Sequence, residues 1–205
     1  PISERKIITQ PSEPTINSLI DKIDKGKLVV RSLFQRKYVW EKQPVIKSRL
    51  IESVILNVPI PIVYTAEDKQ TGKELVIDGQ QRLLTFHGFK NNQFKLKGLT
   101  ILKELNGYKF NDLSNKNDPV IKKISDKMED LQDSFCDRPL RVVKILKESH
   151  PDIKFEIFER LNRGSVKLND QELRNCIYRG SFNELLKELA ENKDFLRLQG
   201  LKNTH

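Results

Sequence analysis

The stretch that decides the fold is residues 76–84, Val-Ile-Asp-Gly-Gln-Gln-Arg-Leu-Leu. An apolar run ends here in four polar residues and a glycine, and apolar residues then return at helical spacing. This order predicts a strand, a tight turn at Gly79, and a helix with Arg82 in its first turn. A helix N-terminus offers backbone N–H groups and the positive end of the helix dipole to an anion. The segment therefore predicts a phosphate-binding turn in which the planar Arg82 guanidinium holds two phosphate oxygens.

An ordinary surface turn is the alternative explanation of the same residues. Asp-Gly after a strand is common in turns, and the side chain of Asp78 can cap the following helix. The glutamine and arginine side chains would then be solvated on a surface helix. The local sequence leaves both interpretations open.

Length and composition favour one globular α/β domain with a helical extension. The chain has 205 residues and a formal net charge of +9, a balance that favours a polyanionic partner. No apolar run approaches the roughly 18 residues needed to cross a bilayer, and the N-terminal stretch lacks the apolar core of a signal peptide. We therefore expect a cytoplasmic protein with no membrane partner. Cys136 and Cys176 lack metal-type spacing, which predicts reduced structural cysteines and no zinc or iron–sulfur site; we expect no haem or flavin.

Hydrophobic spacing predicts the main helices and strands. An amphipathic helix is expected over residues 16–23, capped by Thr15 and stopped by Gly26. A second begins at Pro44 and ends before Pro59, and its predicted buried stripe is Ile46, Leu50, Ile51, Val54 and Ile55. A third covers residues 120–128, and strands are expected over residues 27–31, 62–65, 74–77 and 140–145. Residues 94–110 are ambiguous between strand, loop and short helix.

Charge is unevenly distributed along the chain. Residues 31–50 contain six basic side chains against Glu41, whereas residues 126–137 contain five acids against Lys127. The basic stretch also contains Tyr38 and Trp40, which predicts contacts with nucleic acid or nucleotide phosphates and stacking on a base. The alternative is a solvated face with two aromatic residues that pin the segment to the core.

Four segments occur in a defined order: residues 34–40, 50–61, 77–82 and 158–175. This set resembles the ParB/sulfiredoxin-like domain at the N-terminus of GmrSD-type, modification-dependent restriction enzymes and related phage-defence proteins, from about Lys27 to about Tyr178. The resemblance implies an α/β (α+β) fold, a small mixed sheet flanked by helices. Residues 1–150 would form a nucleotide-binding domain, and residues 151–205 a helical extension that completes the cleft, truncated before a nuclease module.

The resemblance implies binding, and less firmly hydrolysis, of a nucleoside triphosphate. The implied catalytic residues are Asp78, Gln80, Gln81 and Arg82, with Mg²⁺ held by Asp78 and a water oriented by a glutamine. The implied nucleotide- and phosphate-binding residues are Gln35, Arg36, Tyr38, Gly79, Arg82, Asn162, Arg163 and Arg174. Supporting roles fall to Trp40, Glu52 and Glu172, and a structural salt bridge is the alternative for Glu172.

Two other functions stay open at this point. One is a metal-dependent DNA nuclease in which Asp78 acts with Glu52 or Glu172, and the other is a non-catalytic module that binds DNA or docks a partner. The three histidines form no His-Asn-His arrangement, so the nuclease module of full-length relatives is not expected here. Sulfiredoxin chemistry is excluded because residues 80 and 81 are glutamines where that chemistry needs a cysteine. The expected partners are a nucleoside triphosphate, DNA that includes modified phage DNA, and a nuclease module or partner subunit.

Overall fold

The hairpin predicted before the Asp78 turn forms the middle of a five-stranded sheet. In a computed structural model the described residues are 7–30, 38–68, 71–128 and 130–149. The strands are β1 (Thr9–Ser12), β2 (Leu28–Val29), β3 (Val63–Glu67), β4 (Glu74–Asp78) and β5 (Val142–Ile145). The α-helices are α1 (Ile16–Asp24), α2 (Pro44–Ile55), α3 (Gln80–Lys90), α4 (Pro119–Ser125) and α5 (Leu131–Cys136). Short 3₁₀ turns cover Val39–Lys42, Lys103–Leu105 and Phe110–Ser114.

The sheet is mixed, with the strand order β1-β5-β3-β4-β2. Strand β3 pairs antiparallel with β4 and parallel with β5, while β1 and β2 form the two edges. Strand β5 lies inside the sheet, which explains its apolar sequence. The predicted α/β class and the small mixed sheet with flanking helices are confirmed. Residues 151–205 lie outside the described part, so the division at residue 150 stays a prediction.

Local signals place the ends of α1 and α2 as predicted. The Thr15 hydroxyl accepts a hydrogen bond from the Ser18 N–H (3.2 Å) and caps α1. Gly26 follows that helix with a φ of +64°, and its N–H donates to the Ile23 carbonyl, which satisfies one of the last helical acceptors. Pro44 is the first residue of α2, a position that needs no N–H donor.

The predicted buried stripe of α2 is partly wrong. Ile46 is 44% exposed, whereas Lys47, Ser48 and Glu52 are buried. The Ser48 hydroxyl accepts the Lys97 N–H (2.8 Å). Ser48 and Glu52 therefore accept the N–H groups of Lys97 and of residues 100–102, a demand that hydrophobic spacing along α2 does not reveal.

Other differences concern short elements. Strand β1 and helix α5 were not predicted, because β1 is exposed along its length and α5 lies in the acidic stretch. Helix α4 ends at Ser125, so Met128 lies beyond it. The ambiguous residues 94–110 contain bends and 3₁₀ turns and no strand among them. In α5, the Asp130 carboxylate caps the N–H groups of Gln132 and Asp133, a role that marks acids at helix starts.

Phenylalanine rings form the centre of the core between the helices. The Phe89 ring lies 5.4 Å from Phe135, 5.5 Å from Phe94 and 5.8 Å from Phe110, measured between centroids. Most of these pairs meet edge to face, the geometry that aromatic rings prefer. Phe86 extends the cluster. Helix α3 is therefore anchored by its C-terminal half, while its first turn faces the β4 end of the sheet.

Glu52 joins α2 to the segment that follows Gly98. Its side-chain oxygens accept the N–H groups of Thr100, Ile101 (2.8 Å) and Leu102 (2.7 Å), and the Thr100 hydroxyl as well. Burial acts to raise the pKa of Glu52, but the N–H groups of Leu102, Ile101 and Thr100 outweigh it and lower the pKa below its ordinary value of 4.5. The carboxylate thus satisfies donors that would otherwise be buried without a partner.

We expect Glu52→Gln to destabilise the protein by about 2–3 kcal/mol at neutral pH, because an amide places a donor against N–H groups and loses the charge. The folded-state pKa lies below the unfolded one, so this stabilisation is complete above pH 4.5 and is lost as the pH falls through the folded-state pKa. Chemical denaturation at several pH values measures the difference. The exposed Glu148→Gln is the control; equal stability of wild type and Glu52→Gln at neutral pH contradicts the assignment.

Candidate functional site

The strand, glycine and helix predicted around Asp78 are present. Strand β4 ends at Asp78, Gly79 has a φ of +101°, and α3 starts at Gln80. Gly79, not Asp78, is the N-cap residue, and the Asp78 carboxylate accepts a hydrogen bond from Arg82. The alternative that Asp78 caps α3 is therefore wrong. Space also demands a glycine here, since a Cβ on residue 79 would lie 3.0 Å from Val63 Cγ2.

Arg82 lies in the first turn of α3, as predicted, but its guanidinium faces protein acceptors. Its Nη2 donates to Asp78 Oδ2 (2.7 Å) and to the Ile62 carbonyl (3.3 Å), and its Nη1 donates to the Pro61 carbonyl. The side chain is 11% exposed. Burial lowers the pKa of Arg82, while Asp78 acts in the opposite direction. Because these acceptors occupy Nη1 and Nη2, the predicted grip on two phosphate oxygens requires that some of these bonds open.

The segment that contains Tyr38 and Trp40 is bonded to the same end of α3. The backbone N–H of Trp40 donates to Gln81 Oε1 (3.1 Å), and the Tyr38 hydroxyl lies 2.7 Å from Thr85 Oγ1. Thr85 in turn donates to the Gln81 carbonyl (2.8 Å). Burial raises the pKa of Tyr38. These bonds join Tyr38 and Trp40 of the sequence segment 34–40 to Gln81 of the segment 77–82 and to Thr85 just after it. Thr85 was missed by the sequence analysis, although it lies one helical turn after Gln81.

Lys47 does not belong to a solvated basic face. Its ammonium lies 4.3 Å from the Phe94 ring centroid and 5.8 Å from that of Tyr38, and the residue is 7% exposed. Burial lowers the pKa of Lys47, and Glu41 opposes this shift. Cation–π attraction to the two rings compensates part of the lost hydration. Arg49 is also engaged, because its Nε donates to the Gly98 carbonyl (3.3 Å). The basic stretch thus supplies internal contacts as well as surface charge.

Metal ligands are few around the turn. Across residues 7–30, 38–68, 71–128 and 130–149, no group of three or more histidine, cysteine, aspartate or glutamate side chains can hold a metal ion. Glu52 is bonded to the backbone of residues 100–102. This engagement supports a structural role for Glu52 and not the metal-ligand role that the nuclease alternative needs.

The remaining sequence-predicted residues fall outside the described part of the chain. They are Gln35, Arg36, Asn162, Arg163, Glu172 and Arg174. Their roles stay predictions. Of the predicted residues that are described, Tyr38, Trp40, Asp78, Gly79, Gln81 and Arg82 form one connected group.

Comparison with known proteins gives one result. A family model described as GmrSD restriction endonuclease, N-terminal domain, matches residues 16–179. Searches of curated proteins and of solved structures give no match. Among the described residues, no helix has the length and apolar character needed to span a membrane.

Gly79→Ala tests the geometry of the turn. We expect it to lower the free energy of unfolding by about 2–4 kcal/mol, because alanine is strained at this φ and its Cβ contacts both Val63 methyl groups. Gly72→Ala is the matched control, since Gly72 also has a positive φ of +65° but has no atom within 4 Å of its Cβ position. Urea denaturation compares the two variants. Equal losses would show that contact with Val63 has no effect.

Proposed function

Because this chain belongs to the GmrSD restriction endonuclease N-terminal domain family, we propose that it binds and hydrolyses a nucleoside triphosphate within a DNA restriction system. Family membership supports the restriction system. The observation that supports nucleotide binding is the Asp78–Arg82 turn, where a strand, a glycine with left-handed backbone and an eleven-residue helix meet. The implied partners are DNA and a nuclease module or partner subunit.

The α3 N-terminus is the proposed phosphate site. The first N–H groups of a helix have no acceptor within the helix, and the dipole adds positive potential there. The N-cap residue is Gly79, which has no side chain to cap this end. The Asp78 carboxylate is directed to Arg82 instead. An anion at the turn would therefore meet the positive end of the helix dipole, with the Asp78 carboxylate paired to Arg82.

Arg82 shapes this site and can add a phosphate contact. A guanidinium has five N–H donors, and the bonds to Asp78, Ile62 and Pro61 use Nη1 and Nη2. These bonds hold the end of β4, the start of α3 and the residues before β3 together. We assign Arg82 first to positioning the turn and second to neutralising charge on the phosphates. Arg36 is proposed as the second clamp.

Gln80 and Gln81 have different roles in the proposed site. Gln81 Oε1 accepts the backbone N–H of Trp40, so Gln81 positions the segment at Trp40. Gln80, the first residue of α3, is proposed to orient the attacking water. Tyr38 is held by Thr85 and Lys47, which leaves Trp40 as the proposed stacking partner of the base.

Mg²⁺ fits the turn if the nucleotide supplies most of its ligands. Asp78 is the one carboxylate of the turn, and Oδ2 is its atom bonded to Arg82. Magnesium commonly binds one or two carboxylates together with substrate phosphates and water. When bound, the ion would neutralise charge on the phosphate oxygens, and Asp78 would hold it.

Calorimetry with ATP, GTP, CTP and UTP in the presence of Mg²⁺ tests binding. We expect at least one nucleotide to bind, and Gln81→Glu to weaken it by about tenfold or more, because a carboxylate adjoins the phosphate site. Glutamate keeps an acceptor for the Trp40 N–H, so the fold should persist. The control is Gln93→Glu, an exposed residue beyond the C-terminal end of α3. Absence of binding by all four nucleotides, or equal loss in both variants, contradicts the proposal.

Release of inorganic phosphate tests hydrolysis separately. We expect Gln80→Ala to reduce the rate at saturating nucleotide by about tenfold or more, because the attacking water loses its orientation. The affinity measured by calorimetry should stay close to that of the wild type. If wild-type protein binds nucleotide but releases no phosphate, the domain senses the nucleotide and the hydrolytic part of the proposal is wrong.

A further inference from the structure

A second surface, distant in sequence from the Asp78 turn, has the character of a docking site. It is a half-open groove of about 390 Å³, named here the α4 groove, lined by Ile101, Leu102, Glu104, Pro119, Val120, Lys123, Ile124, Lys127 and Met128. Its volume lies at the lower end of the range of ligand-binding clefts. We propose that this groove binds an acidic segment of a partner protein through one or two apolar anchor residues.

Ile101 is the most exposed large apolar residue of the described chain, at 67%. Its backbone is nevertheless bonded, because Glu52 accepts the N–H groups of Thr100, Ile101 and Leu102. Leu99 and Leu102 are buried on either side of this exposed position. The Ile101 side chain is thus exposed to solvent on a segment whose backbone is hydrogen-bonded to Glu52 of α2. A presented apolar residue of this kind loses little conformational entropy when a partner covers it.

The floor of the groove is apolar and adaptable. Six of its nine lining residues have apolar side chains, and one of them, Met128, is the flexible, polarisable type that repacks around different ligands. No lining residue is aromatic. Stacking on a nucleic-acid base therefore has no platform here, which disfavours DNA as the occupant.

The charged residues of the groove determine which charge a bound segment should carry. Lys123 and Lys127 are exposed at its edge and form no ion pair within the described residues. Glu104 is the one acidic lining residue. Carboxylates next to the apolar anchors would meet these lysines, and basic side chains would be repelled. A second copy joined symmetrically through this groove would bring its own lysines close to Lys123 and Lys127.

A peptide binding experiment tests the proposal on the full chain. The probe is a fluorescein-labelled amphipathic peptide of about 15 residues with leucine or phenylalanine at every third or fourth position and aspartate or glutamate elsewhere. The comparison peptide has lysine at each acidic position. We expect fluorescence anisotropy to show about tenfold tighter binding of the acidic peptide, with affinity that falls as salt increases.

Two variants assign the binding to the groove. Ile101→Asp should abolish it, and Lys123→Glu with Lys127→Glu should reverse the preference between the two peptides. The matched controls are Ile46→Asp, another exposed isoleucine, and Lys25→Glu with Lys147→Glu, which make the same change in net charge at exposed positions. These controls should bind like the wild type.

Three outcomes would overturn the proposal. The first is equal binding of both peptides, and the second is equal loss in the groove variants and their controls. The third is self-association: if sedimentation shows a dimer of the wild type that Ile101→Asp converts to monomer, a second copy occupies the groove. Acidic peptide binding that only the groove variants remove supports the proposal, and it is independent of nucleotide binding at the Asp78 turn.

Discussion

The hydrogen bonds of the Arg82 guanidinium are the interaction on which the arrangement of the turn depends. One side chain joins the last residue of β4, the carbonyls of Pro61 and Ile62, and the first turn of α3. Strand β3 follows those carbonyls directly, so both strands of the central hairpin are tied to the helix N-terminus. Because the guanidinium is mostly buried, its charge needs these partners, and the Pro61 and Ile62 carbonyls accept from it beside the ion pair with Asp78.

Two carboxylates illustrate how the environment of a side chain decides which groups it binds. Both Asp78 and Glu52 follow apolar residues and carry the same charge. Glu52 accepts three successive backbone N–H groups and so replaces solvent for a segment without regular hydrogen bonding. Asp78 lies one residue before the N-cap residue Gly79 and pairs with Arg82. The first arrangement completes the backbone bonding of a segment without regular structure, whereas the second ties the end of β4 to the first turn of α3.

The sequence predicted well wherever the signal was local. The ends of α1 and α2 follow from Thr15, Gly26 and Pro44, and the strand–glycine–helix turn follows from residues 76–84. Prediction failed where a distant segment decides. Ile46 is exposed because Ser48 and Glu52 are needed for the backbone of residues 97–102. Helix α5 was missed because its acidic surroundings obscured Leu131 and Phe135, which are buried against distant parts of the chain.

The sequence by itself determined the α/β class, the turn at Gly79 and the restriction-system family, because these depend on spacing, on glycine's access to positive φ and on ordered motifs. Tertiary structure alone decided which way the polar side chains face. Arg82 faces the carbonyls before β3, Lys47 faces two aromatic rings, and Gln81 faces the Trp40 backbone. Each choice is made by the need of a buried polar group for a partner, and those partners lie far away in sequence.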